Sequence, residues 1–272
     1  VAGFLADAAS GLVAVPPPPT AREGEHAGLR YRIEGTGPPL LLLPFFLAPS
    51  QWTPALPALA CRFTLVRLGG ALIGGVGALE DRARAPTYQA MFRALVDLLD
   101  PAPGDRILDV GCGSCALDRL LAARLGDGGR IDAIDINDYL LDEARGLASA
   151  VGVGERIRFG RGSAEAIPFP DATFDRAFSI TVLEECDADK ALGELLRVLK
   201  PGGRAAVVVR AIDVRQWWSL AVPPGLRDRA EVPAQSVAPR GVADGSLYPR
   251  MRAAGFVDIV PFPSLVTLDR PE

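Results

Sequence analysis

The sequence predicts an α/β fold: a doubly wound, mostly parallel, seven-stranded sheet preceded by an N-terminal extension. Three observations carry that expectation. From about Pro86 onward, short apolar runs alternate with stretches of helical periodicity. The run Ile107–Val110 ends directly in a glycine-rich turn, as a buried strand does when it hands over to a helix. The next apolar run closes on an acid, Asp135, 22 positions after Gly113. Alternation of this kind gives parallel strands with right-handed crossovers, and such sheets bind ligands beyond the carboxyl ends of their strands.

Taken in order, residues 1–28 have weak periodicity and include Pro16–Pro19, the composition of a stiff, extended spacer. Strands are expected at Leu29–Ile33, Leu40–Phe46 and Thr64–Leu68, and the cluster Gly69, Gly70, Gly74, Gly75 and Gly77 reads as a loop. These segments form an extension over residues 1–85, and residues 86–272 form the α/β domain. Within the domain, helices are expected at Tyr88–Leu99, Leu117–Leu125, Tyr139–Ala150, Lys190–Leu199 and Leu247–Ala254. The first of these stops before Pro101 and Pro103, which cannot continue a helix. The strands are Ile107–Val110, Ile131–Ile134, Ile157–Phe159, Phe174–Ile180 and Gly203–Val209, then Phe256–Val260 and a short seventh at Leu265–Leu268.

Composition narrows the function. With 272 residues, 49% of them hydrophobic, the chain can bury a substantial core. A net charge of −4 gives no general attraction to phosphate backbones or anionic lipid, so neither nucleic acid nor membrane is an expected partner. Cys112 and Cys115 form a single C-x-x-C, and the one histidine, His26, is distant in sequence; a structural zinc site needs four such ligands, so no metal is expected. The start lacks a basic segment before its apolar residues, and the most apolar run, Leu40–Ala48, contains Pro44 and falls short of the ~20 residues that cross a bilayer. Free thiols in a cytoplasmic protein are the simplest reading.

The chemistry concentrates at Ile107-Leu-Asp-Val-Gly-Cys-Gly-Ser-Cys115. A strand delivers Asp109 to its end, and Gly111 and Gly113 let a ligand approach the backbone without a Cβ in the way. The helix start that follows offers N–H groups to a carboxylate. Asp135 can accept two hydrogen bonds from ribose hydroxyls; its alternative role is to cap the helix beginning near Asn137–Asp138. Downstream come Gly162-Ser-Ala-Glu-Ala-Ile-Pro-Phe-Pro-Asp171, Phe174-Asp-Arg-Ala-Phe-Ser179 and Leu196-Arg-Val-Leu-Lys-Pro-Gly-Gly203.

In this order the motifs resemble the class I S-adenosylmethionine-dependent methyltransferases, specifically the branch with ubiquinone/menaquinone-biosynthesis and many natural-product enzymes. The resemblance covers roughly residues 86–210. Dehydrogenases share the glycine turn but not the Leu-Lys-Pro-Gly-Gly turn. It implies a Rossmann-like methyltransferase sheet, S-adenosylmethionine as cofactor and S-adenosylhomocysteine as product. It also implies that Asp109, Gly111, Cys112 and Gly113 line the methionine and ribose side, while Asp135 holds the ribose and Ile136 covers the adenine. Ser163 and Ala164 would meet the adenine edge, and Ile180 and Thr181 would lie beneath the cofactor near the reacting methyl. Tyr88 would close over the methionine end; its alternative is core packing.

Departures from the pattern are equally informative. Cys115 stands where the family has its third glycine, either as a tolerated small side chain or as a reactive thiol at a helix start. His26 lies outside the domain, so a histidine base is not expected; Glu184 and Glu185 are the candidate catalytic carboxylates, with helix-start acids as their alternative role. Trp217 and Trp218 suggest an apolar wall or lid for a small, apolar acceptor of quinone, polyketide or terpenoid type. Residues 29–70 resemble the opening strands of an α/β-hydrolase, yet Pro44-Phe45 replaces the usual His-Gly and no G-x-S-x-G follows, which argues against hydrolase chemistry. The extension is therefore expected to cover the substrate site, pack on the sheet edge or form a homodimer contact. A different class of function, a non-catalytic cofactor-binding or regulatory protein with a degenerate methyltransferase fold, stays open at this point.

Overall fold

In a computed structural model, the described residues are 22–44, 49–125, 128–214, 221, 223–230 and 237–264. They form two sheets. The N-terminal one contains β1 (Arg22–His26), β2 (Leu29–Gly35), β3 (Pro39–Leu42) and β4 (Thr64–Gly69), in the order β1-β2-β4-β3. β1–β2 and β2–β4 pair antiparallel, β3–β4 parallel. The β1–β2 hairpin turns through Ala27 and Gly28, both at positive φ, as a two-residue loop matched to strand twist requires. Residues 22–26 were expected within a spacer and are instead a strand, held by pairing with β2 rather than by any apolar pattern of their own.

The second sheet contains β5 (Arg106–Val110), β6 (Arg130–Asp135), β7 (Ile157–Arg161), β8 (Phe174–Ile180) and β9 (Leu199–Val208). Its order is β7-β6-β5-β8-β9, and every pairing is parallel. The winding reverses between β5 and β8, which makes their carboxyl ends the expected ligand crevice. Apolar residues cover both faces. Ile107, Ile131, Phe178 and Ile180 pack under α3 (Pro86–Leu99), α4 (Ala116–Ala122) and α5 (Asp138–Ala150). Leu108, Val110, Ile134 and Phe174 pack under α6 (Ala188–Val198) and α8 (Leu247–Ala254). Strands buried on both faces read as near-continuous apolar runs, which is why this half was legible. Two short helices, α1 (Leu56–Ala60) and α7 (Pro224–Ala230), lie outside these layers.

Three expectations are corrected. Among the described residues the parallel sheet has five strands, not seven. Phe256–Val260 is not a strand: Asp258 has φ +51, and Val257 and Val260 are exposed, so no neighbouring strand covers them. Leu265–Leu268 lies outside the described residues. The glycine cluster is not all loop, because α2 (Gly74–Arg84) begins inside it. Gly77 lets the helix run close over Leu72, where a Cβ would stand 2.9 Å from the Leu72 carbonyl carbon, and Ala78–Arg84 supplies good helix formers.

The N-terminal sheet docks on the start of α5. Gly70 N–H donates to the Tyr139 hydroxyl at 2.8 Å, the Ser50 hydroxyl donates to Asn137 Oδ1 at 3.3 Å, and Arg30 pairs with the buried Glu143. Among the described residues, no helix is long and apolar enough to cross a membrane.

Candidate active site

The carboxyl ends of β5, β6 and β8 frame a cavity of about 370 Å³, within the range of small-molecule sites. Its floor is the turn after β5. Gly111 sits at φ +81, and a Cβ there would lie 2.2 Å from Val182 Cγ2, so both conformation and space demand glycine. Gly113, at φ +56, faces Leu79, whose Cδ1 would lie 3.0 Å from an added Cβ. Cys115 adopts φ +54 as the N-cap of α4. A non-glycine residue in that region costs roughly 1–2 kcal/mol, so the position the family gives to glycine still has glycine's backbone geometry here. The Cys115 side chain is buried, and burial raises its thiol well above the usual range. That is the reverse of what a reactive thiolate needs.

The turn is held by its own amides. Gly111 and Cys112 N–H both donate to Ile134 O, at 2.8 and 3.0 Å, and Cys115 N–H donates to Cys112 O at 2.8 Å. Gly113 N–H donates to Asp135 Oδ2 at 2.9 Å, and Asn137 N–H to Asp135 Oδ1 at 2.8 Å. Each Asp135 oxygen thus keeps a further lone pair for a hydroxyl in the cavity. Asn137, not Asp135, caps α5, its side chain accepting from Tyr139 N–H. Burial raises the Asp135 carboxyl, against the lowering effect of these N–H groups.

All eleven residues expected to bind the cofactor line the cavity: Tyr88; Asp109, Gly111, Cys112 and Gly113; Asp135 and Ile136; Ser163 and Ala164; Ile180 and Thr181. Thr181 is held at φ +56 by its N–H bond to Val208 O, a strained β-branched residue at the head of β8. Ser163 accepts from Glu165 N–H at 3.1 Å, a local turn that shapes the wall beyond β7. Asp109 stands above the fully buried Asp118 of α4; burial pushes its carboxyl well above the ordinary range, and the Asp118 charge adds to it.

The catalytic candidates separate. Glu185 lines the cavity, with its carboxylate 3.5 Å from Arg210 Nη2. Glu184 does not: it is fully buried, and its Oε1 accepts from Arg210 N–H at 2.8 Å, so it ties the β8 loop to the segment after β9. Trp217 and Trp218 lie outside the described residues. Sequence reading missed Leu79, Arg82 and Ala83 of α2, which complete the wall beside Tyr88. Their signal was hidden because the helix was read as glycine loop. Cys186 was missed too; burial pushes its thiol up to about 11, so it faces the cavity protonated.

Comparison with known proteins agrees with this geometry. Residues 108–207 match the family described as a methyltransferase domain. A ubiquinone/menaquinone biosynthesis C-methyltransferase from Vibrio campbellii is 36% identical over 131 residues, which is 48% of this chain and 51% of the relative. A 24-methylenesterol C-methyltransferase from Oryza sativa subsp. japonica is 37% identical over 128 residues, 46% of this chain and 34% of the relative. The chain thus spans about half the length, or less, of these curated relatives. A solved SAM-dependent methyltransferase from Aquifex aeolicus superposes with a TM-score of 0.49 at 20% identity, covering 65% of this chain and 87% of that one. Strand order and turn geometry accord with that match: residues 108–207 carry the pattern of a methyltransferase domain.

Proposed function

We propose that this protein transfers a methyl group from S-adenosylmethionine to a small, apolar acceptor. The carrying observation is that all the residues expected to hold the cofactor meet in one cavity, with Asp135 presenting free lone pairs beside glycines a ligand can approach. The cofactor fits the donor set: ribose hydroxyls suit Asp135, and a sulfonium and an ammonium suit a wall bearing Asp135, Glu165 and Glu185. When bound, it supplies a methyl group activated by the sulfonium. The chain's own task is alignment and exclusion of water, served by Ile180, Val182 and Phe178 around the space beside Thr181.

Glu185 is the carboxylate placed to take a proton from an acceptor that must shed one. The acceptor is proposed to be of quinone, polyketide or terpenoid type; relatives named as a ubiquinone/menaquinone biosynthesis C-methyltransferase and a 24-methylenesterol C-methyltransferase support an apolar one. Trp217 and Trp218 are proposed as part of its wall. We place the protein in the cytoplasm. The extension is proposed as a homodimer contact, supported by Leu41, 54% exposed on the edge strand β3, and its neighbour Leu43; a monomeric mass in solution light scattering would refute that.

The test is calorimetric titration of the purified chain with S-adenosylmethionine and S-adenosylhomocysteine, followed by transfer of labelled methyl to a panel of apolar acceptors. Micromolar binding with acceptor-dependent transfer is expected. Binding without transfer to any acceptor would leave a cofactor-binding protein, and no binding by the folded chain would overturn the reading.

A further inference from the structure

The glycine turn that would ordinarily receive the cofactor's carboxylate has little left to offer it. Gly111, Cys112, Gly113 and Cys115 already donate their N–H groups within the protein, and α4 is only seven residues long. Somewhere along the cavity an anion needs a partner.

Among the described lining residues, Arg82 is the one cation, set against Asp109, Asp135, Glu165 and Glu185. Its guanidinium carbon lies 5.1 Å from the Tyr88 ring centroid. Its Nε is buried with no hydrogen-bond partner. A guanidinium over an aromatic ring, with an Nε short of an acceptor, suits a planar anion. Of the groups on S-adenosylmethionine, only the carboxylate is anionic.

The helix that carries Arg82 is pinned in place. Two residues earlier, Glu80 pairs with Arg119 of α4 at 2.6 Å, both side chains largely buried, and Arg119 also donates to Ser114 O at 2.6 Å. One residue before that, Leu79 packs over Gly113. We propose that Arg82 binds the carboxylate of the cofactor's methionine portion, so that α2, outside the matched methyltransferase domain, completes the cofactor site. The inference rests on the cofactor reading above.

The experiment compares two ligands on the full chain by calorimetry. S-adenosylhomocysteine has the carboxylate; 5′-methylthioadenosine keeps the nucleoside thioether and lacks the amino-acid end. Arg82→Met should weaken S-adenosylhomocysteine about 10- to 100-fold, the range of a lost charge-assisted bond, and leave methylthioadenosine unchanged. Arg82→Lys, which retains the charge without the fork, should recover part of the loss, and circular dichroism should show both variants folded. Unchanged affinity for S-adenosylhomocysteine, or equal losses for both ligands, would overturn the assignment to Arg82 and leave the cofactor reading standing. A wild-type chain that binds neither ligand would overturn both.

Discussion

The two sheets of this chain are stabilised in different ways. The strands β5, β6 and β8 are covered on both faces by helices, and Ile107, Leu108, Ile131 and Phe174 are completely inaccessible. The N-terminal strands have few such residues: Leu65 is fully buried and Leu42 nearly so, whereas Leu41 on the edge strand and Leu43 just after it remain exposed. What the second sheet gains from a packed core, the first gains from pairing and from three polar contacts with the start of α5. The difference matters because α5 starts directly after Asp135 and Ile136. A loosely cored unit is thereby seated against an element that helps frame the cavity.

The hardest way to break the methyltransferase half is Gly111→Ala. Positive φ and the encounter with Val182 should together cost about 2–4 kcal/mol and abolish cofactor binding. Gly152→Ala sharpens the comparison: its φ is +75 with nothing within 4 Å, so strain alone, about 1–2 kcal/mol, should remain. Paired thermal melts would separate the two costs, and equal losses would refute the steric account of Gly111.

Asp135→Ala should weaken S-adenosylhomocysteine binding by roughly 1.5–3 kcal/mol, measured by calorimetry on a variant shown to be folded. Part of the loss reflects the turn itself, because Gly113 and Asn137 lose their acceptor. Unchanged affinity would count against the ribose role.

The junction offers the next test. Tyr139→Phe leaves the buried Gly70 N–H without its acceptor, at a cost of about 1–2 kcal/mol. The effect should fall on the N-terminal sheet, so limited proteolysis should cut residues 22–69 earlier while the parallel sheet resists. Uniform acceleration across the chain would show that the two units share one cooperative core.

The smallest expected effect concerns charge beneath the site. Asp109 and Asp118 are both buried and both raised above the ordinary carboxylate value of 3.8. The folded state therefore holds protons that the unfolded chain has released, and stability falls as pH climbs from about 4 through the raised values. Asp118→Asn removes the titrating carboxyl and should raise stability at neutral pH, flattening that slope. A denaturation midpoint that does not move, or moves down, would refute the coupling.

Much of the site was legible in advance for a physical reason. Gly111 and Gly113 are set by backbone conformation, and Asp109 and Asp135 by their places at strand ends, so a buried strand followed by glycines or closing on an acid leaves them written in residue type. Ile136, Ser163, Ala164, Ile180 and Thr181 were named only through the family resemblance, and the fold brings them to the same cavity because strand ends in a parallel sheet converge on one crevice. Glu184 and Glu185 could not be told apart, being adjacent acids after the same strand; only the fold buries one against the Arg210 amide and turns the other to the cavity.

The sequence alone determined the parallel α/β sheet, the glycine turn and the acid beyond β6, because each is a local pattern enforced by strand burial and steric access. Tertiary structure decided that Gly74–Arg84 is a helix, that it brings Arg82 over Tyr88, and that β1 exists at all. Those features depend on partners distant along the chain: Arg119 for Glu80, β2 for β1, and Tyr139 for the docking of the first sheet. No periodicity within the segments themselves records such partners, since the energy that fixes them arises only when the remote surfaces meet.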